Sequence, residues 1–285
     1  MISIIINADD LGNNPIINAE IENAIKQRAI SSSTIMANSH YLEDVRRIVD
    51  ESKDLASFGV HLNLTEGESA TSNEIFRKRG IIDENGHFIK GNSNRCSYPD
   101  KMLEEAIFQE WDAQITRLEQ EGFVLSHADG HHHCHSWPGL ENILVRVLKK
   151  HKIEKVRNCY LYPYASIWDI LLTKSCEVLY FFKVRKIRSH LPIVSSISNR
   201  LHYIHFNHII KCNNIKTTDY FGAYDTFGEL KNKNKLRETL NENVVYEMMC
   251  HPGIPAYDEE KEQILQDCFG IKDGCKYRLI TYIEL

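Results

Sequence analysis

The sequence lacks several things that would assign it to a class at once. None of its eight cysteines forms a CxxC pair or an even framework, so they read as reduced, mostly buried thiols. Basic residues are not in excess. The chain has 34 Lys and Arg against 39 Asp and Glu, a net charge of -5, which leaves no global basic field and excludes nucleic acid as an expected partner. No apolar stretch approaches the roughly 20 residues that cross a bilayer, so no membrane partner is expected. The opening "MISIIINADD" has no basic n-region and does not read as a signal peptide. The expected location is the cytoplasm. There is no internal repeat, no low-complexity tract and no glycine-rich phosphate cradle.

What is present is an alternation of buried strands and amphipathic helices. "ISIII" is a β-branched run of the kind a parallel sheet buries on both faces. "NPIINAEIENAIKQRA" then places Ile17, Ile21, Ala24 and Ile25 on one helical stripe. "SSSTIMAN" and "LASFGVHLNLTEG" have strand character, with a helix expected in "YLEDVRRIVDESKD" between them. Residues 101–120 and "LENILVRVLKKHK" read as helices, and "FVLSHAD" and "VVYEMMCHPG" as strands. This order predicts an α/β fold. Polar residues gather just past several strand ends, where α/β barrels build their sites. Residues 165–215 break the pattern. They are locally basic and aromatic, with His202, His205 and His208 three apart, and read as a solvated helical insertion that covers a cleft or meets another subunit.

Four short stretches carry chemistry-bearing residues. In "NADDLG", Asp9 and Asp10 would point to opposite faces of a regular strand but could both turn to one site in a loop. His61 interrupts the apolar "GVHLNL" strand, and a buried imidazole must be satisfied by a hydrogen bond or a metal. "SHADGHHHCHSWP" holds five of the fourteen histidines. If it stays extended, His127, Asp129, His131, His133 and His135 share one face at about 6.6 Å spacing, so at most two or three can reach one ion. His251, in "EMMCHPG", sits on a turn forced by Pro252 and Gly253 and suits a general acid or base.

In this order, "NADDLG", "GVHLNLTEG", "HADGHHHCH", the "VRN" at 156–158 and "EMMCHPG" resemble the YdjC-like family of metal-dependent carbohydrate deacetylases, up to about residue 257. The resemblance implies a single domain over 1–285 with an irregular, TIM-like (β/α) barrel. The implied reaction is hydrolysis of an N-acetyl group from an amino sugar or oligosaccharide, with release of acetate. It further implies Asp10, His61 and His131 as ligands of one divalent ion, Zn²⁺ ahead of Mg²⁺, Mn²⁺ or Co²⁺. Asp9 would be the general base towards water activated by the metal, and His251 the general acid. Asp129, His133 and Arg157 would line or support the site, and the chain would form a homodimer. Leu11 departs from the Phe usual in the family, and the segment after Arg157 is longer and more basic. Two other readings compete: a metal-dependent phosphoesterase, and a non-catalytic sugar- or metal-binding protein of the same fold.

Overall fold

The computed structural model describes residues 2–159, 202–203, 205–222, 244–253 and 277–285. Strand β1 (Ile2–Leu11) lies in the middle of an all-parallel sheet with β2 (Ser32–Met36), β3 (Ser57–Leu62), β4 (Ala128–Gly130), β5 (Tyr220–Gly222), β6 (Val245–Cys250) and β7 (Tyr277–Leu279). The order is β4-β3-β2-β1-β6-β5, and β7 pairs with the first residues of β1. The sheet curls with helices flanking it, an irregular α/β barrel. Ile4, Ile5 and Ile6 are fully buried, as a strand covered on both faces requires. Each is worth on the order of 1.5–3 kcal/mol relative to exposure.

The helices are α1 (Pro15–Lys26), α2 (Leu42–Ser52), the short α3 (Glu74–Lys78) and α4 (Ser93–Cys96), α5 (Lys101–Gln120) and α6 (Glu141–Lys150). The Asn14 side chain caps α1 by accepting from the backbone of Ile16 and Ile17, and the expected stripe of Ile17, Ile21, Ala24 and Ile25 is buried. Between β1 and α1, Gly12 has φ 98°, and a Cβ there would lie 2.9 Å from Ser39 Oγ. Glycine thus permits the tight exit from β1. In α5 the buried Glu110 accepts from Ser69, Ala70 and Thr71, and Gln114 bonds Asn63 at both its amide ends. These two side chains pin both ends of the 63–72 loop.

Two expected elements come out differently. "FVLSHAD" narrows to a strand of three residues, Ala128–Gly130. Phe123–His127 follows β3 through scattered bonds such as Ser126 N to Phe58 O and leaves Val124 89% exposed. Most of the 165–215 segment lies outside the described residues. Within it, residues 205–212 are helical and bury Phe206 and Ile210 in the main core, so this stretch is not wholly solvated. The three histidines do not converge. His202 bonds Ser136 O and faces Glu141, while His205 and His208 are exposed. No helix among the described residues is long and apolar enough to cross a membrane.

Candidate active site

Because the strands are parallel, their C-terminal ends open on one face, and the chemistry-bearing residues gather there. Asp9 and Asp10 stand at the end of β1, where the pairing with β2 slips between Ala8 and Leu11. Asp10 has φ 70°, a left-handed conformation that Asp tolerates better than most residues. That irregularity lets the two adjacent carboxylates serve one site. His61 comes from the interior of β3, and Asp129, its register partner, from β4.

Directly after Gly130 the chain departs from the extended geometry. Residues His131–Ser136 form a 3-10 turn in which His132 and His133 are left-handed (φ 51° and 55°). The strand alternation therefore fails here, and the expected shared face of His127, His131, His133 and His135 does not form. His131 alone meets His61 and Asp10. His127 lies deeper, stacked on Tyr282 at 3.6 Å and packed over Gly59, where a Cβ would sit 2.6 Å from its ring. His135 Nε2 faces Arg157 O and Cys159 Sγ. Cys134 is buried against Leu62 O, but the turn and not strand alternation puts it there.

Asp10 Oδ1, His61 Nε2 and His131 Nδ1 lie 2.8, 3.2 and 3.3 Å from one another. Bonds of about 2.0–2.1 Å at tetrahedral angles put neighbouring ligands about 3.3 Å apart, so the spacing fits one ion. Asp10 Oδ1 is buried and faces the two imidazole nitrogens without a well-formed hydrogen bond among the described residues, as expected of an atom that shares a cation with them. The far nitrogens are held too: His61 Nδ1 lies 2.6 Å from Asp129 Oδ1, and His131 Nε2 lies 3.2 Å from Glu66 Oε2. Such partners fix the ring orientation of metal-binding histidines.

Charge gives a second test of fit. Three buried carboxylates, Asp9, Asp129 and Glu247, pair with the buried cation Arg157, and a fourth, Asp10, faces His61 and His131. Burial opposes charge on His61, but Asp129 and Asp10 outweigh it and raise the imidazole to about 10. A site that draws a proton onto a buried imidazole has negative charge to spare, and a divalent cation satisfies that demand.

Arg157 follows the bridge between Ala128 and Val156 and is fully buried. It donates two bonds to Asp9 (2.7 and 2.6 Å) and one to Glu247 (2.7 Å), and stands 2.9 Å from Asp129. Burial would raise the Asp9 carboxyl, but the Arg157 charge and hydrogen bonds hold it well below the usual range. Asp9 is thus tethered, not the free partner that the "ADD" pair suggests. His133 is part-buried, with its Nδ1 atom inside and without a hydrogen-bond partner among the described residues, and it is held near 4, first by desolvation and then by the Arg157 charge. His251 follows β6, is part-buried and lies within electrostatic reach of both Asp9 and His133, so it belongs to the same space.

Sequence reasoning missed four participants. Glu247 binds Arg157 and accepts from the Tyr282 hydroxyl. Thr34 donates to Asp129, and Asn7 donates to Asp9 and Thr34. The signal was present for one of them: a Glu in the middle of the apolar "VVYEMMC" strand is as anomalous as His61 in its own.

A family model described as YdjC-like protein matches residues 3–276. The chain belongs to the YdjC-like family. Among curated relatives it is similar to a carbohydrate deacetylase of Oceanobacillus iheyensis, 30% identical over 150 residues, covering 52% of this chain and 61% of the relative. It is also similar to a carbohydrate deacetylase of Vibrio cholerae, 32% identical over 152 residues, covering 53% and 56%. The match therefore spans about three-fifths of the length of these relatives. A solved structure from Enterococcus faecalis, described as a cellobiose-phosphate cleavage protein, covers 94% of this chain and 89% of its own, with a TM-score of 0.59 and 20% identity. That likeness bears on the fold of this YdjC-like chain.

Proposed function

We propose that the protein is a metal-dependent carbohydrate deacetylase that hydrolyses the N-acetyl group of an amino sugar or oligosaccharide. The carrying observation is the convergence of Asp10, His61 and His131 on one point, with Asp9 and His251 beside it in a YdjC-like chain. Asp10, His61 and His131 would hold the ion. A divalent ion there supplies Lewis acidity, polarising the amide carbonyl and acidifying water, with Zn²⁺ ahead of Mg²⁺, Mn²⁺ or Co²⁺ because two of three ligands are imidazoles.

The chain's own residues then have distinct tasks. Asp9, kept ionised by Arg157, accepts the proton of the attacking water as its oxygen bonds to the amide carbon. His251 donates a proton to the nitrogen as the C–N bond breaks, giving acetate and a free amine. Arg157 and Asn7 fix the Asp9 carboxylate, and Asp129 with Thr34 fixes His61.

A two-metal phosphoesterase is less well supported. The second buried cluster, Asp9 with His61 and Asp129, has both its carboxylates on Arg157. A second ion there would have to displace a guanidinium.

The test is acetate release from N-acetylated sugars by the zinc-loaded chain, with zinc counted by elemental analysis. Asp9→Asn is expected to keep its ion and lose activity about 10²–10⁴-fold, the range of a general base. Normal turnover by Asp9→Asn removes Asp9 as the base, and a panel with no acetate release under any divalent ion removes the whole reading.

A further inference from the structure

The last residues of the chain return to the starting ends of the strands. After β7, Ile280 N donates to Ile4 O, and Tyr282–Glu284 form a 3-10 turn closed by a capping box between Thr281 and Glu284. Tyr282 N donates to Ser57 Oγ, at the first residue of β3. Lys155 Nζ donates to Tyr282 O and Ile283 O at 2.6 and 3.0 Å, and Lys216 Nζ to Leu285 O at 2.9 Å. The backbone of Tyr282 is thus pinned at the end of the sheet away from the hydrolytic residues. Its side chain is fully buried and runs into the interior.

Both parts of that side chain lead to Asp9. The hydroxyl donates to Glu247 Oε2 at 2.5 Å, and Glu247 Oε1 accepts from Arg157 Nε at 2.7 Å. The two Nη atoms of Arg157 then donate one bond to each Asp9 oxygen. The ring stacks on His127 at 3.6 Å, and His127 Nε2 lies 3.3 Å from Asn7 Oδ1. Asn7 in turn donates to Asp9 Oδ1 at 2.8 Å. A buried tyrosine needs some partner for its hydroxyl, and a backbone carbonyl would serve. Here the partner is the carboxylate that holds Arg157 Nε. Burial first, and then the Glu247 charge, raise the hydroxyl well above its ordinary value, so it stays a donor. In a dry interior such a donor draws charge off Glu247 and leaves more of the Arg157 charge to Asp9.

We propose that Tyr282 is a positioning residue for the hydrolysis: its hydroxyl fixes Glu247, and Glu247 aims the Arg157 fork at Asp9. Only the reaction rests on the deacetylase reading; the aim of the fork does not. A guanidinium is planar and rigid, so a small rotation at its Nε end carries over to both Nη atoms. Without the hydroxyl, Glu247 Oε2 is buried and unpaired, and the carboxylate turns towards the guanidinium to satisfy it. The fork follows, and the Asp9 carboxylate swings from its line to the attacking water. A misplaced base costs turnover and leaves substrate binding intact.

Steady-state acetate release by the zinc-loaded full chain tests this in Tyr282→Phe, which keeps the ring on His127 and removes only the hydroxyl. kcat is expected to fall about tenfold, part of the worth of a buried hydrogen bond to a charge, with KM and bound zinc unchanged. Glu247→Gln should lose at least as much, and the double variant no more than Glu247→Gln, because both act along one path. In an Asp9→Asn background, Tyr282→Phe should cost less than about twofold. Unchanged kcat in either single variant overturns the proposal, as do additive losses in the double variant or a full loss in the Asp9→Asn background. A chain that releases no acetate at all removes the deacetylase reading, and a second measurement then decides. With nitrogen-labelled arginine, the Arg157 Nε–H resonance, held by Glu247, is expected to move in Tyr282→Phe. A resonance that stays in place overturns the proposal whether or not acetate is released.

Discussion

Two imidazoles meet the same Asp10 oxygen, yet their outer sides live in different surroundings. His61 turns its far nitrogen to Asp129, and both groups are at most 1% exposed, inside a web that runs through Thr34, Asn7, Arg157 and Glu247. His131 turns its far nitrogen to Glu66, whose side chain is 45% exposed and shared with an exposed lysine head. In the dry interior, ring orientation is over-determined, because every partner has further partners that water cannot replace. At the rim, water can take over the role of Glu66. The inner half fixes where an ion sits, and the outer half leaves room for a ligand to enter beside it.

The sharpest way to break this contrast is Asp129→Asn, which removes the inner carboxylate while keeping its volume. Zinc affinity is expected to fall about 10–100-fold, the usual effect of losing such a partner; competition with a chromogenic chelator measures it, and an unchanged affinity would show the inner half to be dispensable. Acid comes next. The unfolded chain protonates His133 near 6.5 and the folded chain only near 4. The stability this burial contributes is complete above 6.5 and is lost as pH falls towards 4. His61, raised to about 10, works the other way: the unfolded imidazole takes up its proton between pH 7 and 5 while the folded one already holds it, so it offsets part of that loss. Urea unfolding should show about 2 kcal/mol less stability at pH 5 than at pH 7 from His133 alone, and His133→Asn should flatten that part of the slope. The smallest effect is expected at the rim. Glu66→Gln should change zinc affinity by less than about threefold, as for a solvent-screened pair; a loss equal to that of Asp129→Asn would erase the distinction between the two halves.

Periodicity made much of the scaffold legible. The β-branched run became β1, the stripe on 15–26 became α1, and α5 spans 101–120, because each has a repeat that only one geometry satisfies. Asp10, His61 and His131 were legible through motif order, and they do come together. The histidine run was not. Two successive left-handed residues, His132 and His133, are a tertiary outcome that no alternation rule anticipates. Nor were Asn7, Thr34 and Ser31–Ser33, which are buried although polar. A strand reader expects apolar residues there, but these side chains serve an interior built around charge. Glu247 and Tyr282 escaped for a related reason: Arg157, which Glu247 binds, lies about ninety residues from it in the chain, and Glu247, to which Tyr282 donates, lies about thirty-five from Tyr282, so only the fold brings these partners within bonding distance.

The central place of β1 also governs when the molecule can be assembled. One edge of β1 receives β2 from 32–35, soon after it in the chain, but the other must wait for residues 245–250 of β6, and its first residues for β7 at 277–279. During synthesis the earliest strand is therefore among the last to be completed. Such pairing over long sequence separations slows folding, and the half-paired isoleucine-rich edge is open to association until the late strands arrive. Asp10, His61 and His131 can meet once residue 131 has emerged, whereas the clamp on Arg157 closes only with Glu247, which Tyr282 then holds.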